Sequence, residues 1–342
     1  MKKEHKYAGN RKITLADIAM ECGISKMSVS LALRKKHGVS EKTRRRVEEK
    51  AKELGYHPDP ELAALHRYRH NAKEKNIQAT LAWFNTGPQS HPFRQNKEFD
   101  LYWEGAYANA RQRGYRLEAF NLEKISAQRL KTILTTRNIR GILLPPQHDD
   151  RTAQLEHFDW SSFAIVRFGQ TLSTPKTHYV ASAHMMNTIM AFEQALQLGY
   201  KRIGYIGDFN YTKHFTAGYL WAQNKRPKEQ RLPLLKITPP YHTKDKQHRL
   251  KSWLNQTRPD AILTDKKALP LALKNLGYRI PEDIGLVTTS IHDTPIDAGI
   301  NQRPYDIGHP AIRLLTALIS EKAFGIPEYC DEMLMEGRWV DG

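Results

Sequence analysis

Apolar positions recur at helical spacing three times in the first fifty-five residues. "TLADIAMEC" (14–22) sets Leu15, Ile18, Ala19 and Cys22 on one face. Thr14 is a fair N-cap, and Asp17 stands where a capping box carries Glu. Gly23 breaks this helix, and Ser25 caps a second that runs to about Leu33. After the loop "KKHG", Ser40 caps a third helix, "EKTRRRVEEKAKELG", with Val47, Ala51 and Leu54 inward and Gly55 as its stop. Val29 and Leu33 of the second helix read as core. Two helices joined by a tight glycine turn, with a third across them, predict a helix-turn-helix module. Such a short unit buries little apolar surface and is marginal alone.

"YHPDPELAALHRYRH" then stiffens the chain at Pro58 and Pro60 and predicts a short helix, followed by the polar linker "NAKEKN". From Ile77 the texture changes. "IQATLAWFN", "RLEAFNL", "IRGILLPP", "FAIVRFG", "RIGYIGD", "PLLKIT", "DAILTD" and "IGLVTT" read as strands. Between and after them, "EFDLYWEGAYANARQRGY", "SAQRLKTILTTRN", "HMMNTIMAFEQALQLG", "HFTAGYLWAQN", "DKQHRLKSWLNQ", "ALPLALKNLG" and "GHPAIRLLTALISE" read as helices. Alternation of this kind means parallel sheet covered on both faces. The count exceeds one comfortable sheet, so two α/β lobes with a ligand cleft between them are expected.

Charge sharpens the picture of the head. The 342-residue chain carries a net charge of +17. Residues 1–75 hold 19 Lys and Arg against 10 Asp and Glu, so over half the excess lies in under a quarter of the chain. A polyanionic partner follows. The second helix mixes Lys26, Ser28 and Ser30 with Met27 and Leu31, a face suited to phosphate rather than core. Cys22 and Cys330 match no metal spacing and suit a reducing compartment. No signal peptide and no membrane span is legible, so a cytoplasmic protein is expected.

Residues 13–60 resemble the N-terminus of the LacI/GalR family of bacterial transcription regulators, in the pieces "TLADIAMECGISKMSVSLAL", "GVSEKTRRRV" and "ELGYHPDP". "LGYKRIGYIGD", "AGYLWA", "LGYRIPEDIGLV" and "DIGHPAIRLLTALI" resemble landmarks of the same family more loosely, as in a divergent branch. The resemblance implies an all-α helix-turn-helix DNA-binding domain over 1–58 and a hinge helix and linker over 59–76. It implies a two-lobed, periplasmic-binding-protein-like α/β effector and dimerisation domain, with Rossmann-like lobes, over 77–342. It implies a palindromic double-stranded operator, a homodimer and a small polar effector, sugars among the candidates, with no cofactor or metal.

Carried over residue by residue, the resemblance sends Lys26, Met27 and Ser30 to base edges and Thr14, Ser25 and Ser28 to the DNA backbone. Arg34 and Lys35 serve either. For Met27 a core position is the competing reading. Arg44 to Arg46 read as a solvated, phosphate-steering face. Leu65 matches the family's minor-groove wedge, with burial against the core domain as its alternative. Leu31 stands where the family usually has Arg, so an unusual operator is expected.

Effector positions depart further from the family pattern. Ser290 stands for an expected aspartate, with Asp293 three residues on, and Lys213 for an expected arginine. Asn85, Arg167, Asp208, Asp265 and Gln302 sit at strand ends, and Trp103 or Trp221 would stack on a sugar ring. A sugar, another polar metabolite, or no effector all remain open. No P-loop, nucleophile elbow or zinc-protease motif is present, which argues against an enzyme. The alternative function is a two-lobed sugar-binding protein without specific DNA binding. No heptad tract follows the last helix, which favours a dimer.

Overall fold

The computed structural model describes residues 13–33, 38–56, 79–85, 97–122, 125–146, 155, 157–170, 174–207 and 213–342. The chain divides into two compact units, Met1–Glu74 and Lys75–Gly342.

In the first unit, α1 (Leu15–Cys22), α2 (Lys26–Leu33) and α3 (Glu41–Glu53) enclose one small core. Ile18, Val29, Ala32 and Val47 are fully buried there, with Ala19, Cys22 and Ala51 nearly so. Leu15, Leu33 and Leu54 pack around its edge, half-buried. The caps do what their residue types demand. The Asp17 carboxylate accepts from the Thr14 N–H at 2.8 Å and from its hydroxyl at 2.7 Å. Ser25 Oγ accepts from Ser28 N–H, and Ser40 Oγ from Thr43 N–H. Gly23, at φ +59°, takes the left-handed turn that separates α1 from α2.

The second unit holds two six-stranded sheets. The first uses β1 (Ala79–Asn85), β2 (Tyr115–Asn121), β3 (Gly141–Leu144), β4 (Ala164–Phe168), β5 (Tyr179–Ser182) and β11 (Glu332–Met335), in the order β11-β5-β4-β3-β1-β2. The second uses β6 (Ile203–Gly207), β7 (Leu235–Lys236), β8 (Ala261–Thr264), β9 (Gly285–Thr288), β10 (Gly299–Asn301) and β12 (Arg338–Val340), in the order β12-β10-β9-β8-β6-β7. Every pairing is parallel except β10 with β12. Both faces of each sheet are covered, which is why the strands are continuous apolar runs rather than alternating ones. On the first sheet, α4 (Lys97–Gln112) and α10 (Pro304–Glu321) pack on one face and α5 (Ala127–Thr136) on the other. On the second, α6 (His184–Gln197) and α7 (Lys213–Asn224) cover one face. α8 (Lys244–Thr257) and α9 (Leu269–Asn275) cover the other. The chain crosses between lobes after β5, after β10 and after β11.

Several elements differ from the sequence expectation. "PLLKIT" yields only the two-residue β7, because Pro233, Pro239 and Pro240 flank it and cannot donate to a ladder. α10 begins at Pro304, one turn before "GHPA", with Pro304 at the first helical position where a missing N–H costs nothing. The short strands β5, β10, β11 and β12 carry no strong local pattern. β11 and β12 form because a distant partner is already in place: Glu332–Met335 lines up with Tyr179–Ser182, about 150 residues away, and Arg338–Val340 with Gly299–Asn301.

Candidate nucleic-acid interface and effector cleft

α2 is held from behind and exposed in front. Val29 and Ala32 face the core, while Met27 is 71% exposed and Lys26 is exposed beside it. Ser28 and Ser30 are half-exposed on the same helix. Ser25 is exposed at the N-terminus, its Oγ 3.0 Å from Ser28 Oγ. Thus the positive end of the α2 dipole carries a cation, two adjacent hydroxyls and a flexible thioether, with no acidic side chain in its first turn. An anion is favoured there.

Thr14 spends its hydroxyl on Asp17. Of the three arginines read as a steering face, two have structural employment. Arg44 pairs with Glu41 at 2.6 Å, and Arg46 donates to the Cys22 carbonyl at 2.7 Å, tying α3 to the end of α1. Arg45 is exposed. Leu31 is half-buried, and its methyl lies beside Gly38. Arg34, Lys35 and Leu65 lie outside the described residues.

In the second unit, the candidate effector residues separate into groups. Ser290, Asp293 and Gln302 come together at the strand ends of the second lobe. Ser290 Oγ donates to Glu98 Oε2 at 3.0 Å, joining the loop after β9 to α4 of the other lobe. Asp293 hydrogen-bonds the same carboxyl, and Tyr102 OH reaches Glu98 Oε1 at 3.4 Å. Gln302 Nε2 donates to the Thr289 carbonyl at 2.7 Å, next to Ser290 in the chain. The two lobes are therefore stitched by one carboxyl group that is 6% exposed. Burial pushes Glu98 well above the usual carboxylate range, and Asp293 beside it adds to the shift. Burial likewise raises Tyr102. At the start of α6, burial lowers His184 to about 4, with His214 adding to the shift.

The other candidates lie apart. Asn85 is buried at the end of β1. Arg167 on β4 is half-buried, its guanidinium 5.0 Å from the Tyr179 ring centre, and desolvation lowers it. Asp265, after β8, pairs with Lys266 at 2.9 Å. Lys213 is exposed at the start of α7. Trp103 stacks edge-on against Trp83 and face-on against Tyr107, within the packing of α4. Trp221 is 43% exposed two turns along α7, under the Lys225 ammonium at 4.9 Å. Asp208 lies outside the described residues. Glu98, Tyr102 and His184 escaped the sequence reading. An acidic residue in a first turn reads as a dipole partner, and nothing local shows that Glu98 faces another lobe 192 residues away. Among the described residues no cluster of His, Cys, Asp and Glu suited to a metal is present. No described helix is long and apolar enough to cross a membrane.

Comparison with known proteins agrees with this architecture. Residues 14–59 match a family model described as bacterial regulatory proteins, lacI family. Residues 192–334 match one described as a periplasmic binding protein-like domain. The HTH-type transcriptional regulator MalR of Streptococcus pneumoniae is 25% identical over 198 residues, 57% of each chain. The chain thus aligns with little more than half the length of that relative. A transcriptional regulator CelR–cellobiose complex has the same fold at 19% identity and TM-score 0.55, covering 96% of this chain and 99% of that one. Transcription regulator CcpA of Lactococcus lactis matches at 16% identity and TM-score 0.54, covering 77% and 97%. The lac repressor dimer bound to operator matches at 18% identity and TM-score 0.50, covering 97% and 98%.

Proposed function

We propose that this chain, whose residues 14–59 match the lacI family of bacterial regulatory proteins and whose residues 192–334 match a periplasmic binding protein-like domain, is a sequence-specific DNA-binding transcriptional regulator. It binds a two-fold operator as a homodimer, one α2 helix in each half-site. The observation that carries this reading is the division of α2 into a buried Val29/Ala32 face and an outward Lys26/Met27 face at its dipole-positive end. Lys26, Met27 and Ser30 read base edges. Ser25 and Ser28 meet phosphate, with Arg34, Lys35 and Leu65 extending the contact as the family resemblance implies. Repression is the expected output. The protein acts in the cytoplasm and has no catalytic role.

The interlobe cleft takes a small polar effector, sugars included. Ser290, Asp293 and Gln302 supply its polar wall beside Glu98. An effector that favours one lobe spacing shifts the DNA-binding equilibrium, and a coupling of about 1–3 kcal/mol suffices. The MalR relative and the cellobiose complex of CelR support the regulator and the sugar class respectively.

The test is selection of duplexes from a random pool by the full chain near physiological salt, with Lys26→Ala and Met27→Ala variants in parallel. The expected result is an enriched palindrome, bound about 10-fold or more weakly by each variant while its non-specific binding is retained. Failure of any sequence to enrich, with or without a panel of sugars, overturns the reading in favour of a two-lobed ligand-binding protein.

A further inference from the structure

Outside its DNA-binding head, the chain has a second concentration of positive charge. Residues 225–258 carry ten Lys and Arg against two acidic residues, a net of +8. The rest of the span 76–342 holds 24 basic and 24 acidic residues, so this one segment accounts for all its excess charge.

The fold places part of that charge at the open edge of the second sheet and part in the turn that leads into it. β7 is the terminal strand of that sheet, and its Lys236 is exposed. Arg249 of α8 donates to the Lys236 carbonyl at 2.9 Å. Lys246, one turn earlier, reaches the Pro239 carbonyl and Thr238 Oγ1, each at 3.4 Å. In the turn ahead of β7, Arg231 donates to the carbonyls of Arg226 at 2.9 Å and Asn224 at 2.8 Å. Arg226 in turn reaches Gln230, across the short 3-10 turn that begins at Lys228. Arg226, Arg231, Lys246 and Arg249 are held by neutral acceptors, which position a charge without cancelling it.

We propose that this set of cations, Arg226, Lys228, Arg231, Lys236, Lys246 and Arg249, binds the phosphate backbone of double-stranded nucleic acid, independently of base sequence. Three observations favour that occupant. Concentrated positive charge on an otherwise balanced unit complements a uniform polyanion. Between Trp221 and Leu271 no described large hydrophobic side chain is exposed, so the charged segment itself carries no apolar anchor, the exposed Leu220 and Trp221 preceding it in the chain. Pro233, Pro239 and Pro240 bracket β7 and block extension of the edge by an added strand. Guanidinium and ammonium groups spaced along an exposed edge and the turn before it are then suited to phosphates.

The experiment uses the full chain and a duplex of random sequence, with affinity read by fluorescence anisotropy between 50 and 200 mM salt. The triple variant Lys228→Gln/Lys236→Gln/Lys246→Gln is compared with a charge-matched control, Lys176→Gln/Lys201→Gln/Lys274→Gln. Each phosphate contact contributes about 0.9 to the slope of log affinity against log salt. The triple variant is expected to lose about 2–3 from that slope and to bind about 10-fold or more weakly at low salt, while the control keeps the wild-type slope. The single variant Lys228→Gln, expected to lose about 1, serves if the triple variant melts early. An unchanged slope overturns the proposal. So does an equal loss in the control, which would make the effect one of net charge alone. Loss of binding to polyglutamate with DNA binding intact also overturns it, in favour of an acidic protein.

Discussion

Val29 and Met27 are two positions apart in the same helix and have opposite fates. Val29 is fully buried and Met27 is 71% exposed; the 100° turn per residue, not hydropathy, decides between them. Glu98 and His184 show the same dependence on surroundings in their proton affinities. Glu98 is raised above its ordinary 4.5 by burial and by Asp293, so its neutral form is the one the fold stabilises. That contribution is complete below pH 4.5 and is lost as pH rises through the folded value. His184 is lowered from 6.5 to about 4, so it is held neutral. Its contribution is complete above pH 6.5 and is lost as pH falls toward 4, a loss of about 3 kcal/mol. Denaturant unfolding measured from pH 4 to 9 is expected to show opposite slopes from these two groups. Glu98→Gln flattens the alkaline side and His184→Gln the acidic side. Variants with the wild-type profile would mean that neither group couples to folding.

Elements meet most closely where α4 crosses α10. A Cβ built on Gly105 would lie 1.9 Å from the Tyr305 carbonyl oxygen, and one on Gly308 would lie 2.3 Å from the Ala106 nitrogen. Both obstacles are backbone, so no side-chain rotation relieves them. This crossing also sits where the chain returns from β10 to the first lobe, so it fixes the connection between lobes as well as a core layer. Gly308→Ala is expected to destabilise by about 3 kcal/mol, the upper end of overpacking costs. Thermal unfolding checks this, and a variant within about 0.5 kcal/mol of wild type would show that the helices part freely.

At the scale of the whole molecule, charge and burial divide the labour. The head places a small core behind α2 and leaves that helix's dipole-positive end outward. The α/β unit buries four apolar clusters, one on each face of each sheet, and lets only a few polar groups bridge its lobes. A palindromic operator requires two copies of α2, so the chain is expected to sediment at twice its 39.5 kDa mass. Sedimentation at the mass of a single chain at micromolar concentration would contradict the dimer.

The helix starts of the head were legible because they rest on neighbours in sequence. Thr14 with Asp17, Ser25 with Ser28 and Ser40 with Thr43 bond across three residues. The alternation of apolar strands with amphipathic helices was legible for the same reason, and it decided the two-lobed α/β class. The tertiary structure alone decided β11 and β12, whose ladders join segments distant in the chain. It alone separated Arg45 from Arg44 and Arg46, and gathered Ser290, Asp293 and Gln302 while leaving Trp103 in the packing of α4. It alone brought Glu98 against the opposite lobe. Periodicity and caps are local energies that a sequence displays directly. A contact between residues 98 and 290 exists only after both sheets have formed, and no local pattern encodes it.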